Sequence, residues 1–164
     1  VTGVQTCALP IYQWRFNLRT GEVVERKLDQ DWGSEFARIN ETFMGVRNRY
    51  AYAARIAGDN LESGFDGIIK YDLVKETNSH YPYGPSRLGG EPIFAPKPNG
   101  KHEEDGWVIG FVWDEQLKRS ECIILDAANF EQGPVARVVM PARVPFGFHS
   151  AWVDQETWGA SLSR

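Results

Sequence analysis

Two successive sets of four short, β-prone runs dominate the chain, and almost nothing in it reads as a long amphipathic helix. Runs of this length, alternating or apolar and bounded by turn residues, are the pattern of an all-β fold. The first set is "EFARIN" (35–40), "RYAYAARI" (49–56), "FDGIIKYDL" (65–73) and the weaker "KETNSHY" (75–81). A Pro/Gly-rich linker, "YGPSRLGG", follows. The second set is "EPIFAP" (91–96), "WVIGFVW" (107–113), "SECIILDA" (120–127) and "PVARVVMP" (134–141). Ahead of both, "YQWRFNL" (12–18) turns through "RTGE" into "VVERKL" (23–28), a hairpin. A repeating unit of four antiparallel strands suggests propeller blades, somewhat longer than the roughly 40–50 residues common for them. A sandwich is the alternative, but sandwiches do not usually repeat a four-strand unit.

Composition narrows the range of functions. With 164 residues, 42% of them hydrophobic and 13% aromatic, the chain can bury a real core. Its formal net charge is −4 and no basic stripe is visible, so no nucleic-acid partner is expected. No apolar run approaches the ~20 residues of a membrane helix, while peripheral membrane contact stays open. Two cysteines, Cys7 and Cys122, form no CxxC and no disulfide framework, which fits a reducing, cytoplasmic setting.

The uncharged opening, "VTGVQTCALPI", resembles the translation of a sequencing adaptor and is set apart from fold reasoning. The expected division is 1–11 as a non-native segment, 12–158 as the β-domain, and 159–164 as a tail.

Three side chains stand out by position. Glu35 opens the first strand of one set, Glu91 opens the first strand of the next, and His149 lies where a third set would begin. In a propeller the first strand of each blade lines the central axis. Equivalent positions therefore face one another there, and two carboxylates and an imidazole would converge. A neutral imidazole binds a metal through one nitrogen, and its other N–H needs an acceptor that a buried carboxylate supplies. A ring of imidazoles with open coordination positions suits a redox-active iron. The contact expected between Glu91 and His149 is a hydrogen bond of about 2.6–3.2 Å.

Taken jointly, "SEFARIN", "GEPIFAPKPNG…EEDGWVIGFVWDE" and "CIILDAANFEQGPVARVVMPARVPFGFHSAWV" resemble the C-terminal part of the carotenoid cleavage oxygenase family, which includes the lignostilbene dioxygenases. The resemblance implies a partial seven-bladed β-propeller, about two blades plus flanking strands. It implies Fe(II) on the propeller axis, held by four histidines, three of them backed by glutamates. His149 matches the last iron ligand, Glu91 the glutamate that holds its ring, and Glu35 a glutamate whose own histidine lies upstream. Three ligands have no counterpart, since His80 and His102 sit in polar, loop-like contexts and match no ligand motif. The fragment alone is therefore expected to be inactive.

The implied reaction of the longer protein joins molecular oxygen to an extended, apolar, conjugated substrate (a carotenoid, apocarotenoid or stilbene). It breaks one C=C bond into two carbonyl products. Phe146 and Phe148 flank the ligand and either shape its pocket or pack between blades. Two rival readings use the same residues: a noncatalytic propeller scaffold, and a hydrolase with Glu35 and Glu91 as an acid/base pair. The latter leaves His149 unexplained.

Other signals are structural. "HEED" (102–105) is a solvated loop tip, and Cys122 an inert thiol in an apolar strand. Asp126 caps a turn, and Trp107 and Trp113 share one strand face and fill space.

Overall fold

The computed structural model describes residues 11–29, 31–58, 63–155 and 158–159. The opening stretch set apart above lies outside the described residues except for Ile11, and so does the tail after Gly159.

Among the described residues eleven strands follow one another: β1 (Tyr12–Phe16), β2 (Val23–Lys27), β3 (Ser34–Arg38), β4 (Tyr50–Ile56), β5 (Phe65–Asp72), β6 (Thr77–Pro82), β7 (Arg87–Gly89), β8 (Ile93–Pro96), β9 (Gly106–Asp114), β10 (Arg119–Asp126) and β11 (Pro134–Val139). Strands β1 and β2 form the expected hairpin. β3, β4, β5 and β6 pair in chain order as an antiparallel meander, and β8, β9, β10 and β11 form a second. These are the two sets read from the sequence.

The linker between them corrects that reading. It contains β7, which pairs with β9 along its three residues and touches β5 through Phe65 and Gly89, joining both meanders into one nine-stranded sheet. Turn-forming Gly, Pro and Ser hide this strand: the chain turns with Gly84 and Ser86 at positive φ and then extends.

Both meanders use the same hairpin chemistry. Asp72 Oδ1 accepts from the N–H groups of Val74 (3.1 Å) and Lys75 (3.0 Å), and Glu76 adopts φ +56°. Asp114 Oδ1 accepts from Gln116 (3.0 Å) and Leu117 (2.8 Å), and Lys118 adopts φ +51°. A short acceptor on Asp satisfies the turn amides, and one left-handed residue four positions on redirects the chain. Asp126 caps its turn likewise, accepting from Ala128 and Asn129 at 3.0 Å each.

The core lies between the two meanders. Tyr52 and Ile68 from the first pack with Phe94, Val108, Val112, Ile123, Leu125, Ala127 and Phe130 from the second, along with Tyr83 from the connection. Space there is tight. A Cβ on Gly106 would meet the Phe94 ring at 2.3 Å, and one on Gly89 would meet the Tyr83 ring at 2.5 Å. Burial pushes the Tyr52 and Tyr83 hydroxyls well above their ordinary range.

The opposite face of the first meander is also covered. Ala51, Ala53, Ile69 and Tyr71 pack there beneath Ile11, Trp32, Ile39 and Leu73. Its strand β4 is consequently apolar on both faces. Strand β9, by contrast, alternates strictly: Val108, Gly110 and Val112 are buried, while Trp107, Ile109, Phe111 and Trp113 are only half-buried. Burial of one face and not the other is what period-two alternation encodes.

Candidate functional site: a carboxylate clamp beside His149

The site is assembled by three segments distant in sequence: strand β3, the lead-in to β8, and the irregular segment that carries His149. Strand β3 does not run straight. Its register against β4 passes from Glu35 opposite Ala54 to Arg38 opposite Tyr52, so two residues of β3 face one of β4. This is a β-bulge. Phe36 stands in it at φ +56°, a left-handed conformation unusual for a bulky residue. Packing holds it there: its ring meets Phe65 edge-on at 5.5 Å, beside the buried Ala54 and Ile56.

Glu91 lies just before β8, with a side chain only 3% exposed. A buried carboxylate needs partners, and it has three neighbours. Arg38 Nε lies 3.2 Å from Oε1, the Ser150 N–H donates to Oε2, and His149 Nδ1 lies 3.6 Å from Oε1. The Arg38 guanidinium also donates through Nη2 to the Ser150 carbonyl, and its Nη1 lies 3.6 Å from Glu41. Arg38, Glu91 and the Ser150 peptide thus form a closed ring of polar contacts. The His149 ring stands against it, meeting Phe36 edge-on at 5.5 Å and 80°.

The sequence expectations fare unevenly. Glu91 and His149 do come together, but the approach is 3.6 Å and not a hydrogen bond of about 3 Å. The reason is that both Glu91 oxygens are engaged, one by Arg38 and one by the Ser150 amide. The His149 side chain is 78% exposed, so the ring is not in a water-poor setting in this chain.

Glu35 does not join the cluster. Its side chain is half-buried, and it makes no hydrogen bond or ion pair with the described residues. The bulge lies between Glu35 and Arg38, and it is Arg38, three residues on, that reaches Glu91. Phe146 and Phe148 are 55% and 81% exposed, and it is Phe36 whose ring packs on the imidazole. Phe146 does line a cavity of about 180 Å³, together with Glu91, Phe111, Trp113, Ser120 and Val144.

Arg38, Phe36 and Ser150 were not found by sequence reasoning. A bulge with no glycine in it leaves no mark in "SEFAR", and Ser150 acts through its backbone alone.

The remaining histidines are elsewhere. His102 sits at an exposed tip, its N–H donating to Asp105 at 2.9 Å. His80 belongs to β6 and not to a loop. It packs on Trp32 at 5.0 Å, and burial, with nearby Arg55, lowers its pKa. Cys122 is half-buried, and burial pushes its thiol up. Among the described residues no group of three or more His, Cys, Asp or Glu side chains could by itself hold a metal ion.

Comparison with known proteins places the chain in a family. The family model described as retinal pigment epithelial membrane protein matches residues 4–154. Curated relatives include a carotenoid 9,10(9',10')-cleavage dioxygenase 1 of Pisum sativum, 35% identical over 161 residues that cover 89% of this chain and 29% of the relative. A carotenoid cleavage oxygenase of Mycobacterium tuberculosis is 35% identical over 144 residues, 85% of this chain and 28% of its own length. The Synechocystis apocarotenoid-15,15'-oxygenase is 30% identical over 142 residues, 86% of this chain and 29% of its own.

A solved structure of a Synechocystis apocarotenoid oxygenase mutant superposes with a TM-score of 0.81 at 25% identity, covering 89% of this chain and 30% of that one. Cobalt-substituted Synechocystis oxygenase matches with a TM-score of 0.79 at 25% identity over the same shares. The chain thus spans under a third of the length of these relatives. With a match across nearly its whole length, the chain belongs to the retinal pigment epithelial membrane protein (RPE65) family, that of the carotenoid cleavage oxygenases.

Proposed function

We propose that this chain is the C-terminal part of a longer nonhaem Fe(II) dioxygenase that cleaves a C=C bond of a carotenoid, apocarotenoid or stilbene. The observation that carries the reading is the approach of His149 to a buried, clamped Glu91 in a member of this family. The names of the relatives, two of them cleavage enzymes and all of them oxygenases or dioxygenases, support the reaction class. The cobalt substitution named for one structural neighbour supports a metal in it.

The donor set fits such a metal in part. Nδ1 of His149 faces the carboxylate, which leaves Nε2 to ligate. With one imidazole and no cluster of three ligating groups among the described residues, three more ligands must come from elsewhere in the parent. This chain alone is inactive on that reading. The chemistry iron supplies when bound is activation of molecular oxygen and its addition across one double bond, which breaks into two carbonyl products. The chain's own share is to fix one imidazole beside its carboxylate and to pack the strands that carry both. The two meanders are read as two blades of a seven-bladed propeller, with Glu35 turned toward a histidine outside this chain. The substrate is apolar and conjugated, and the setting cytoplasmic. No helix among the described residues is long and apolar enough to cross a membrane.

The test is the restored full-length protein. His149→Ala is expected to abolish iron binding and cleavage. Glu91→Gln is expected to weaken them less, about 10–100-fold. Full iron content and activity in His149→Ala would overturn the assignment. It would favour the rival in which this is a noncatalytic scaffold, as would an upstream sequence with no further histidines on first strands.

A further inference from the structure

We propose that Arg38 is a positioning residue for His149, acting through Glu91 and the Ser150 peptide. The proposal rests on the reading of His149 as a metal ligand and adds a group that reading did not contain. Three observations carry it.

First, the contacts close a ring. Arg38 Nε lies 3.2 Å from Glu91 Oε1, Nη2 donates to the Ser150 carbonyl, and the Ser150 N–H donates back to Glu91 Oε2. Both polar atoms of the peptide that follows His149 are therefore held by one guanidinium–carboxylate unit. The planar fork of arginine can reach two acceptors at once, which a lysine ammonium does less well.

Second, Arg38 and His149 address the same oxygen. Oε1 of Glu91 lies 3.2 Å from Arg38 Nε and 3.6 Å from His149 Nδ1. A carboxylate oxygen held by Arg38 is fixed in place beside the imidazole, so the position of the ring's neighbour is set by the guanidinium.

Third, Arg38 arrives only because β3 is bulged, with Phe36 in a left-handed conformation and its ring against the imidazole. A left-handed conformation at a bulky residue is strained and persists where the surroundings fix it. Here it brings two side chains of one strand, Phe36 and Arg38, to opposite sides of the same cluster.

The experiment uses the full-length protein loaded with Co(II) as a probe. It reads metal affinity by chelator competition, the cobalt absorption spectrum, and thermal unfolding of the apoprotein. Arg38→Ala is expected to weaken cobalt binding about 10-fold and to shift the cobalt spectrum. Arg38→Lys, which keeps the charge but not the fork, should recover part of the affinity. The Glu91→Gln/Arg38→Ala double variant should lose little more than Glu91→Gln alone, since Arg38 acts through Glu91.

If His149→Ala binds cobalt as the wild type does, the ligand reading fails. If His149→Ala loses cobalt while Arg38→Ala keeps wild-type affinity and spectrum, the ligand reading stands and the role of Arg38 is overturned. If Arg38→Ala does not fold, Arg38→Lys decides: wild-type affinity and spectrum there overturn the need for the fork.

Discussion

The two meanders share strand number, pairing order and hairpin chemistry, yet they are buried differently. The first is packed on both faces, by the second meander on one side and by Ile11, Trp32, Ile39 and Leu73 on the other. The second is packed on one. Its other face leaves Trp107, Ile109, Phe111 and Trp113 half-buried and Val138 exposed. Residue choice follows. Strand β4 is apolar on both sides, whereas β9 sets large apolar side chains on its open face, where water alone would favour polar ones. Contiguous exposed apolar surface of that kind marks an interaction site. In the proposed propeller it is the contact with the next blade.

The sharpest test of this contrast is a matched pair of truncations. Ile69→Ala on the covered face of the first meander should cost about 2–5 kcal/mol, read from urea unfolding. Ile124→Ala on the open face of the second should cost less than about 1 kcal/mol in this chain. In the full-length protein it should approach the Ile69 value if a neighbouring blade covers it. Equal, small costs in both settings would remove the blade-to-blade interpretation.

A second comparison is electrostatic. Glu121 in β10 is 4% exposed and surrounded by Arg87, Arg119 and Arg137. Burial alone would raise its pKa, and hydrogen bonds from Arg87 and Arg119 outweigh that, so the net shift is downward. A carboxylate lowered in the folded state stabilises above its unfolded pKa of roughly 4.3, and loses that contribution as pH falls toward its folded value. Glu121→Gln should therefore cost about 2–3 kcal/mol near pH 7 and flatten the acid side of the stability profile.

The smallest effect belongs to the β1–β2 hairpin. Its Arg26 pairs with Glu76 across side chains 39% and 62% exposed. Glu76→Gln should change stability by less than about 1 kcal/mol, with little of that surviving in high salt.

What the sequence disclosed and what it withheld follow the same physics. Alternation and turn residues disclosed both four-strand sets to within about two residues, most clearly in β4, β5, β9 and β10, which commit one or both faces to burial. β7 was hidden, since three residues, the last of them a glycine, carry no period. The pairing of Glu91 with His149 was legible from the repeat and from the resemblance. Its geometry was not, because Arg38 and a backbone amide occupy the carboxylate first. Nothing in the letters of β3 announces that one residue there is supernumerary.

That extra residue turns alignment into a matter of counting. A regular strand turns residues three apart to opposite faces, yet Glu35 and Arg38 stand opposite Ala54 and Tyr52, alternate residues of β4 that share one face. Straightened without losing a residue, β3 would set Arg38 opposite Ala51, on the other face, and leave Glu91 buried without its cation. In this part of the molecule the more ideal strand is the one that could not serve.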